Sequence, residues 1–247
     1  MQKVTIKRED LDFQCREAYK TLRSNIEFCG KDIHSFAITS CIPNEGKSEV
    51  SFQVAISFAQ SGKKVLLIDA DLRKSVITEH LNSGRIRYGL TNYFAGQCSL
   101  EECTCSTDEP NFYLIVCGPH SPIPTELLSS SMFDELLETA KKEYDLVIID
   151  TPPVASVIDA ALVGQKVDGV VVTVASGEVS YQLLQDVINQ LKTANCRILG
   201  CVLNKADLGG SGTYGKYYGK YYGKYYGKYY GKYYGKYYGD DAKRKEK

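Results

Sequence analysis

Short apolar runs rich in valine, isoleucine and leucine recur along the chain, and segments with a helical spacing of apolar residues separate them. Six runs predict β-strands, at 35–39, 64–69, 112–116, 145–150, 169–175 and 197–204. Their nearly continuous apolar character is typical of strands that are covered on both faces, as in a parallel sheet. The segments between them predict helices over 12–29, 47–61, 131–142, 157–164 and 180–194.

This alternation predicts an α/β domain with a P-loop, doubly wound, mostly parallel sheet flanked by helices. The chain has 247 residues and 43% apolar content, which is enough to bury the core of one such domain. We expect the domain to extend over residues 1–207. The sequence GGSG at 209–212 has the composition of a flexible joint, so residues 208–247 are expected to form a separate tail.

The tail is built around six copies of Lys-Tyr-Tyr-Gly between residues 216 and 239. Glycine at every fourth position and regularly spaced lysines oppose packing, so the repeats predict a disordered segment. The tail holds 13 of the 19 tyrosines of the chain. The predicted phosphorylation sites are these thirteen: Tyr214, Tyr217, Tyr218, Tyr221, Tyr222, Tyr225, Tyr226, Tyr229, Tyr230, Tyr233, Tyr234, Tyr237 and Tyr238.

The formal net charge is zero, but the charges are unevenly distributed. From Lys216 to Lys247 there are ten Lys or Arg and three Asp or Glu, so this segment carries +7 and the rest of the chain −7. Opposite charges favour docking of the basic tail on the acidic remainder of the same chain or of another copy.

The cysteines lack the spacing of a disulfide framework, and no signal peptide is apparent. No apolar run is long enough to span a bilayer. These features predict a cytoplasmic protein.

A phosphate-binding loop is predicted between the strand at 35–39 and the helix that follows it. Gly46, Lys47 and Ser48 stand where such a loop ends: loop N–H groups would cradle phosphates, Lys47 would reach the β/γ oxygens, and the Ser48 hydroxyl would bind Mg²⁺. The match to the pattern G-x-x-x-x-G-K-[ST] is partial, because Cys41 occupies the position of the first glycine.

Three aspartates stand at the ends of predicted strands. Asp69 and Asp71 lie in LLIDADLRK, and Asp150 lies in VIIDTPP. Ligands bind outside the carboxyl ends of parallel strands, so these carboxylates are expected to converge with the phosphate-binding loop. One such aspartate could simply cap a helix, but three beside the loop favour a site for a nucleotide and Mg²⁺.

The segments PNEGKS, LLIDADLRK and VIIDTPP, in this order and spacing, resemble the Walker A, Walker A′ and Walker B motifs of the bacterial tyrosine kinases (BY-kinases). EAYKTLRSNI at 17–26, GLTNYFAG at 89–96 and PIPTELL at 122–128 also resemble segments of that family. The resemblance implies a non-specific protein-tyrosine kinase that uses ATP and Mg²⁺. It further implies phosphorylation of the tail in trans and control of capsular or exopolysaccharide biosynthesis and export.

Position by position, the resemblance implies roles for the site residues. Lys47 binds the β/γ-phosphates, while Ser48 and Asp150 hold the metal. Asp69 or Asp71 helps to place the metal, and one of the two, by preference Asp69, accepts the phenolic proton. The residues expected to bind ATP are Asn44, Glu45, Gly46, Lys47, Ser48, Glu49 and Asn204.

Two positions of the loop depart from the family pattern, which has glycine at Asn44 and threonine at Glu49. Asparagine tolerates a left-handed backbone better than most residues, so Asn44 is expected to keep the turn. Glu49 adds negative charge near the bound phosphates and is expected to weaken nucleotide affinity.

Arg73 follows Asp69 and Asp71 in LLIDADLRK, and it is expected to orient the loop that carries these two aspartates, which we call the acidic loop.

Glu17, Lys20 and Arg23 share one face of the first predicted helix. By themselves they indicate a solvated charged face, but the resemblance makes them the family's E-x-x-R-x-x-R contact in a homo-oligomeric ring. Lys20 replaces an arginine and cannot make a planar bidentate contact, which is expected to weaken the ring. The resemblance also implies a separate transmembrane activator of the polysaccharide co-polymerase type, which recruits the kinase to the membrane, and an opposing phosphotyrosine phosphatase.

Other classes of protein stay open at this point. A partitioning-type ATPase shares the fold, but Ile42 occupies the position of that class's signature lysine. The sequence NKAD at 204–207 suggests a GTPase, yet Asp150 is followed by TPP rather than by the x-x-G of a GTPase. A tyrosine- and lysine-rich tail also suits stacking on single-stranded nucleic acid, but the acidic body supplies no basic groove, and no nucleic-acid partner is expected.

Overall fold

The computed structural model of the protein describes residues 1–8 and 10–206. The predicted phosphorylation sites and the joint at 209–212 lie outside the described residues. The strands are β1 (Gln2–Lys3), β2 (Thr5–Ile6), β3 (Ser35–Ser40), β4 (Val65–Asp69), β5 (Leu81–Ser83), β6 (Cys105–Ser106), β7 (Phe112–Ile115), β8 (Leu146–Asp150), β9 (Val170–Ala175) and β10 (Ile198–Asn204). The helices are α1 (Phe13–Phe28), α2 (Lys47–Gln60), α3 (Leu90–Phe94), α4 (Leu100–Cys103), α5 (Pro124–Ser129), α6 (Ser131–Glu143), α7 (Asp159–Gly164) and α8 (Tyr181–Thr193), with a 3₁₀ turn at Ile77–His80.

Eight of the described strands form one sheet in the order β1-β6-β7-β4-β8-β3-β9-β10. All neighbours from β7 to β10 are parallel, whereas β6 runs antiparallel to β7. The strands β2 and β5 pair separately as an antiparallel ribbon. The prediction of a mostly parallel, doubly wound α/β sheet is therefore confirmed.

The central strands are apolar throughout because both of their faces are covered. Every residue of β3, β4, β8 and β9 is buried. On one face, side chains of α1 and α2 such as Ile26, Phe52 and Phe58 pack against the sheet. On the other face, α6 and α8 contribute Phe133 and Leu191 among others. The core consequently has two layers, one on each side of the sheet.

Each of the six predicted strands and five predicted helices is present, with ends that differ by no more than two residues. The elements that the pattern did not predict are short, because a few residues cannot establish a periodicity. The carboxyl ends of β3, β4 and β8 lie side by side in the sheet, which brings the three predicted motifs to one edge. No helix within the described ranges combines the length and the apolar character that crossing a bilayer requires.

Candidate active site

The loop between β3 and α2 turns through two left-handed residues. Asn44 has φ of 68° and Gly46 has φ of 84°. The expectation that Asn44 keeps the turn in place of glycine is therefore confirmed. Gly46 directly precedes Lys47, the first residue of α2, so the N–H groups at the start of that helix face the loop.

Two polar side chains brace this loop from the inside. The carboxylate of Glu45 is fully buried and accepts hydrogen bonds from the backbone N–H of Ile42 (2.8 Å) and of Ala175 (2.9 Å). The side-chain amide of Asn204, at the end of β10, donates to the carbonyl of Glu45 (2.9 Å). Both side chains, which the family resemblance assigned to ATP binding, are thus engaged in holding the loop.

Substituting alanine for Gly46 is expected to damage the loop. A residue with a β-carbon is strained in this left-handed backbone conformation. At this position the added atom would also collide with the side-chain amide of Asn204. We expect nucleotide binding to weaken by about tenfold or more, and the free energy of unfolding to fall by about 2 kcal/mol. Titration with a fluorescent ATP analogue and urea denaturation measure the two effects.

Gly62 offers the matched control for this substitution. Its φ is 95°, but no atom lies within 4 Å of an added β-carbon. Alanine at Gly62 is expected to cost about 1 kcal/mol of stability through backbone strain and to leave nucleotide affinity unchanged. Equal losses of affinity in the two variants would show that the collision with Asn204 is unimportant.

Lys47 lies at the centre of the site, among the acidic side chains of the neighbouring strands. Its Nζ is 2.9 Å from Asp71 Oδ2, 3.6 Å from Asp150 Oδ2 and 3.0 Å from Ser48 Oγ. The Ser48 hydroxyl donates to Asp150 at 2.6 Å, and Ser51 Oγ lies 2.9 Å from the other Asp150 oxygen. The structure therefore brings together the Walker A lysine and serine with one aspartate from each of the two other motifs.

Asp69 lies beside this group and closes the acidic loop on itself. Its carboxylate accepts a short hydrogen bond from the Ser75 hydroxyl and a longer one from the backbone N–H of Asp71 (3.3 Å). The backbone N–H of Cys117, just beyond β7, approaches it at 3.4 Å. The loop after β4 therefore leaves the strand at Asp69 and comes back to the Asp69 carboxylate at Ser75.

The buried charges shift one another's pKa values. Burial raises the pKa of Asp69 to about 7, and the nearby carboxylates of Asp150 and Asp71 add to the increase. Burial likewise raises the pKa of Asp150, against the opposing effects of Lys47 and the serine hydroxyls. Burial alone would lower the pKa of the Lys47 amine, but Asp150 and Asp71 more than offset it and hold the net pKa above its usual value. Lys47 is accordingly a buried cation at neutral pH.

Arg73 projects from the acidic loop and binds a residue that the sequence did not single out. Its guanidinium makes a two-pronged contact with Asp159, from Nε (2.7 Å) and Nη2 (3.1 Å), and the Asp159 carboxylate is fully buried. The Thr125 hydroxyl lies 2.9 Å from both Arg73 Nη2 and Asp159 Oδ1. Arg73 thereby ties the acidic loop to α5 and α7, in keeping with its expected orienting role.

Glu49 lies in the first turn of α2, and its side chain is directed at the 3₁₀ turn. One of its oxygens is 3.4 Å from His80 Nδ1, and the His80 ring stacks on Phe52 with centroids 4.7 Å apart. The other oxygen, Oε1, is buried without a hydrogen-bond partner. The predicted effect of Glu49 on nucleotide affinity stays a prediction.

The predicted oligomer contacts lie on α1 and have partners within the chain. Lys20 Nζ pairs with Glu17 at 2.7 Å, and both side chains are well exposed. Arg23 instead donates to the backbone carbonyl of Ser57 on α2 at 2.7 Å. Glu17 and Lys20 therefore pair on the exposed side of α1, whereas Arg23 is bound to α2. The role of the three residues in a ring stays a prediction.

The oxygen donors around Lys47 have the chemistry that Mg²⁺ prefers. They are the Ser48 hydroxyl and the carboxylates of Asp71 and Asp150, with Asp69 adjacent. Across the part of the chain that the structure describes, no three His, Cys, Asp or Glu side chains are arranged to hold a metal by themselves. This donor set fits Mg²⁺ bound mainly through phosphate oxygens and water, with few protein ligands.

The fold and the site define a P-loop nucleotide-binding protein of the doubly wound α/β class. A family model described as an AAA domain matches residues 44–201. The chain is 39% identical over 210 residues to the tyrosine-protein kinase CpsD of Streptococcus pneumoniae serotype 4, a match that covers 84% of this chain and 92% of that protein.

Two further comparisons agree. The chain is 40% identical over 204 residues to the tyrosine-protein kinase YwqD of Bacillus subtilis, covering 81% of this chain and 85% of that protein. The solved kinase domain of the Escherichia coli tyrosine kinase ETK superposes with a TM-score of 0.72 at 30% identity, covering 85% of this chain and 94% of that one. The chain belongs to the family of bacterial tyrosine kinases.

Proposed function

We propose that this protein is an ATP-dependent protein-tyrosine kinase whose acceptor is the tyrosine-rich tail of another copy. In this proposal residues 1–207 form the kinase domain and residues 208–247 form the substrate. The observation that carries the proposal is the convergence of Lys47 with Asp71, Asp150 and Ser48, in a chain that belongs to the bacterial tyrosine kinases.

The residues of the site suit phosphoryl transfer. The backbone N–H groups of the loop and the Lys47 ammonium would hold the nucleotide phosphates and offset the charge of the transferring phosphoryl group. Mg²⁺ bound at Ser48, Asp71 and Asp150 would neutralise phosphate charge and orient the γ-phosphate. Burial of these groups strengthens each of the electrostatic contacts that they make.

The transfer also requires a base, because a phenol has a pKa near 10. We assign this role to Asp69: its raised pKa of about 7 leaves it partly ionised at neutral pH and gives it proton affinity. Asp71 is less suited, because it is paired with Lys47. The phenolic proton passes to Asp69, the phenolic oxygen bonds to the γ-phosphorus, and the bond to the β-phosphate oxygen breaks to release ADP.

The same proposal covers the partners. Glu17, Lys20 and Arg23 would contact a neighbouring subunit in a ring, which would carry each tail to the next active site. A separate transmembrane activator of the polysaccharide co-polymerase type would recruit the kinase to the membrane, and a phosphotyrosine phosphatase would reverse the modification. The output would be control of capsular or exopolysaccharide synthesis and export.

Family membership favours this function over a partitioning-type ATPase. A GTPase is disfavoured by a contact of the site itself. Asn204, which would have to read guanine, donates its side-chain amide to the carbonyl of Glu45 and is engaged in bracing the loop.

Mass spectrometry of the full chain after incubation with Mg²⁺ and ATP tests the proposal. We expect phosphate on several of the thirteen tail tyrosines, with slower incorporation when GTP replaces ATP. The incubation is repeated with the activator's cytoplasmic segment added. The absence of phosphotyrosine under both conditions would refute the kinase assignment.

A further inference from the structure

Two exposed isoleucines stand close in the chain to the residues that bind Arg73. Ile123 precedes α5 and is 48% exposed, while Ile158 precedes α7 and is 54% exposed. Isoleucine is usually buried. Ile158 directly precedes Asp159 in the chain and Ile123 lies two residues before Thr125, so each is carried by a segment that binds Arg73.

The Arg73 guanidinium is fixed in place. Nε and Nη2 of Arg73 both donate to Asp159, whose carboxylate is fully buried. Nη2 also donates to the Thr125 hydroxyl. The Arg73 side chain nevertheless stays 37% exposed. A planar cation held rigidly and left partly open is a good surface for stacking an aromatic ring.

Arg73 belongs to the same loop as the proposed base and follows it by four positions. That loop leaves β4 at Asp69 and returns to the same carboxylate through Ser75. A phenol ring bound at Arg73 would therefore stand at the outer side of the loop that carries Asp69. Exposed apolar side chains and a flat cation suit the amphipathic ring of tyrosine, which buries its body and leaves its hydroxyl polar.

We infer that Arg73, Ile123 and Ile158 form the acceptor subsite, on which a tail tyrosine stacks before it is phosphorylated; this inference rests on the proposed function. The occupant is the Lys-Tyr-Tyr-Gly repeat, because it supplies most tyrosines of the chain. The positive charge of the repeat also suits this surface. Glu126, which follows Thr125, is exposed and close enough to interact electrostatically with Arg73, and it offers a carboxylate to the lysine of each repeat.

Kinetics with the nonapeptide GKYYGKYYG as acceptor test the inference on the full chain. Replacing Ile123 and Ile158 together by serine is expected to raise the KM for the peptide about tenfold. The Kd for ATP should not change, and the unfolding temperature should fall by only a few degrees, because about half of each side chain is already exposed. Phe28→Ser, which alters an 84% exposed side chain on α1, is the matched control and should leave the peptide KM unchanged.

Arg73→Lys tests the stacking surface separately. It preserves the charge but loses the planar group, so it is expected to raise the peptide KM about tenfold. Because Arg73 also ties the acidic loop to Asp159, the Kd for ATP is measured alongside and should rise by a smaller factor than the peptide KM. Glu126→Gln tests the lysine contact: the wild type should prefer GKYYGKYYG over GQYYGQYYG about threefold, and the variant should not discriminate.

The outcomes separate this inference from the proposed function. If the wild type transfers phosphate to the peptide and both the double serine variant and Arg73→Lys keep its KM, the acceptor subsite lies elsewhere and the kinase assignment stands. If the wild type transfers no phosphate, the assignment and the subsite are overturned together.

Discussion

Replacing Lys47 by methionine is expected to reduce autophosphorylation of the tail by about a thousandfold or more. Lys47 is the cation at the centre of the site, in contact with Asp71, Asp150 and Ser48. In phosphoryl transfer a single positioned cation typically contributes a factor of about 10³ or more, because it stabilises charge that develops on the transferring group. Methionine is unbranched and nearly as long, but it has neither the charge nor the N–H groups that Lys47 directs at Asp71 and Ser48.

The initial rate of phosphate incorporation from labelled ATP measures this loss. Lys63→Met, near the other end of α2, is the matched control, since Lys63 pairs with Glu27 at a partly exposed position far from the three aspartates. It should retain the wild-type rate. Since Lys47→Met leaves buried carboxylates without their cation, urea denaturation must accompany the assay. A folded Lys47→Met protein with a rate within tenfold of wild type would contradict the proposed role.

Replacing Asp69 by asparagine is expected to change activity and stability in opposite directions. As the proposed base, Asp69 would contribute a factor of about 10² to 10⁴ to the rate, and asparagine cannot accept the proton. The same carboxylate is buried beside Asp150 and Asp71, so its negative charge is unfavourable for the folded state. Loss of activity with a gain in stability is typical of a functional group held under electrostatic strain.

The effect on stability depends on pH in a defined way. The folded pKa of Asp69 is raised from 3.8 to about 7, so the folded protein binds this proton more tightly than the unfolded chain does. The stabilisation from this group is therefore complete below pH 3.8 and is lost as the pH rises through about 7. At pH 8 asparagine removes the unfavourable charge, and the free energy of unfolding is expected to exceed the wild-type value by about 2 kcal/mol.

Urea denaturation at pH 8 and at pH 5 measures this difference, which should be large at pH 8 and small at pH 5. Asp145→Asn is the control, because Asp145 is exposed and lies at the opposite end of β8 from Asp150. The difference in free energy of unfolding between Asp145→Asn and the wild type should not be larger at pH 8 than at pH 5. Unchanged phosphorylation by Asp69→Asn, or lower stability at pH 8, would exclude Asp69 as the strained base.

Much of the fold follows from local pattern. The runs at 64–69, 145–150 and 169–175 are apolar because β4, β8 and β9 are buried on both faces, so each run alone identifies a central strand. The convergence of Asp71 and Asp150 on Lys47 follows from the parallel arrangement of these strands. The left-handed turn at Asn44 follows from the chemistry of asparagine.

The supports of the site could not be predicted in this manner, because they join residues far apart in the chain. Glu45 and Asn204 are separated by 159 positions, and Arg73 and Asp159 by 86. No periodicity or motif relates such pairs, so their contact emerges only once the strand order is known. The signal that was present is indirect: an acidic residue at 159, at the start of a predicted helix, and the segment PIPTELL containing Thr125.

The central claim is transfer of phosphate from one copy's active site to another copy's tail, and a mixing experiment tests it directly. The donor is a full chain with an intact site and its thirteen tail tyrosines changed to phenylalanine. The acceptor is the full-length Lys47→Met protein with its tail intact. Mass spectrometry should find phosphotyrosine on the acceptor tail when the two are mixed with Mg²⁺ and ATP, and none when either is incubated alone. An unmodified acceptor in the mixture, under conditions in which the wild type labels itself, would contradict the account.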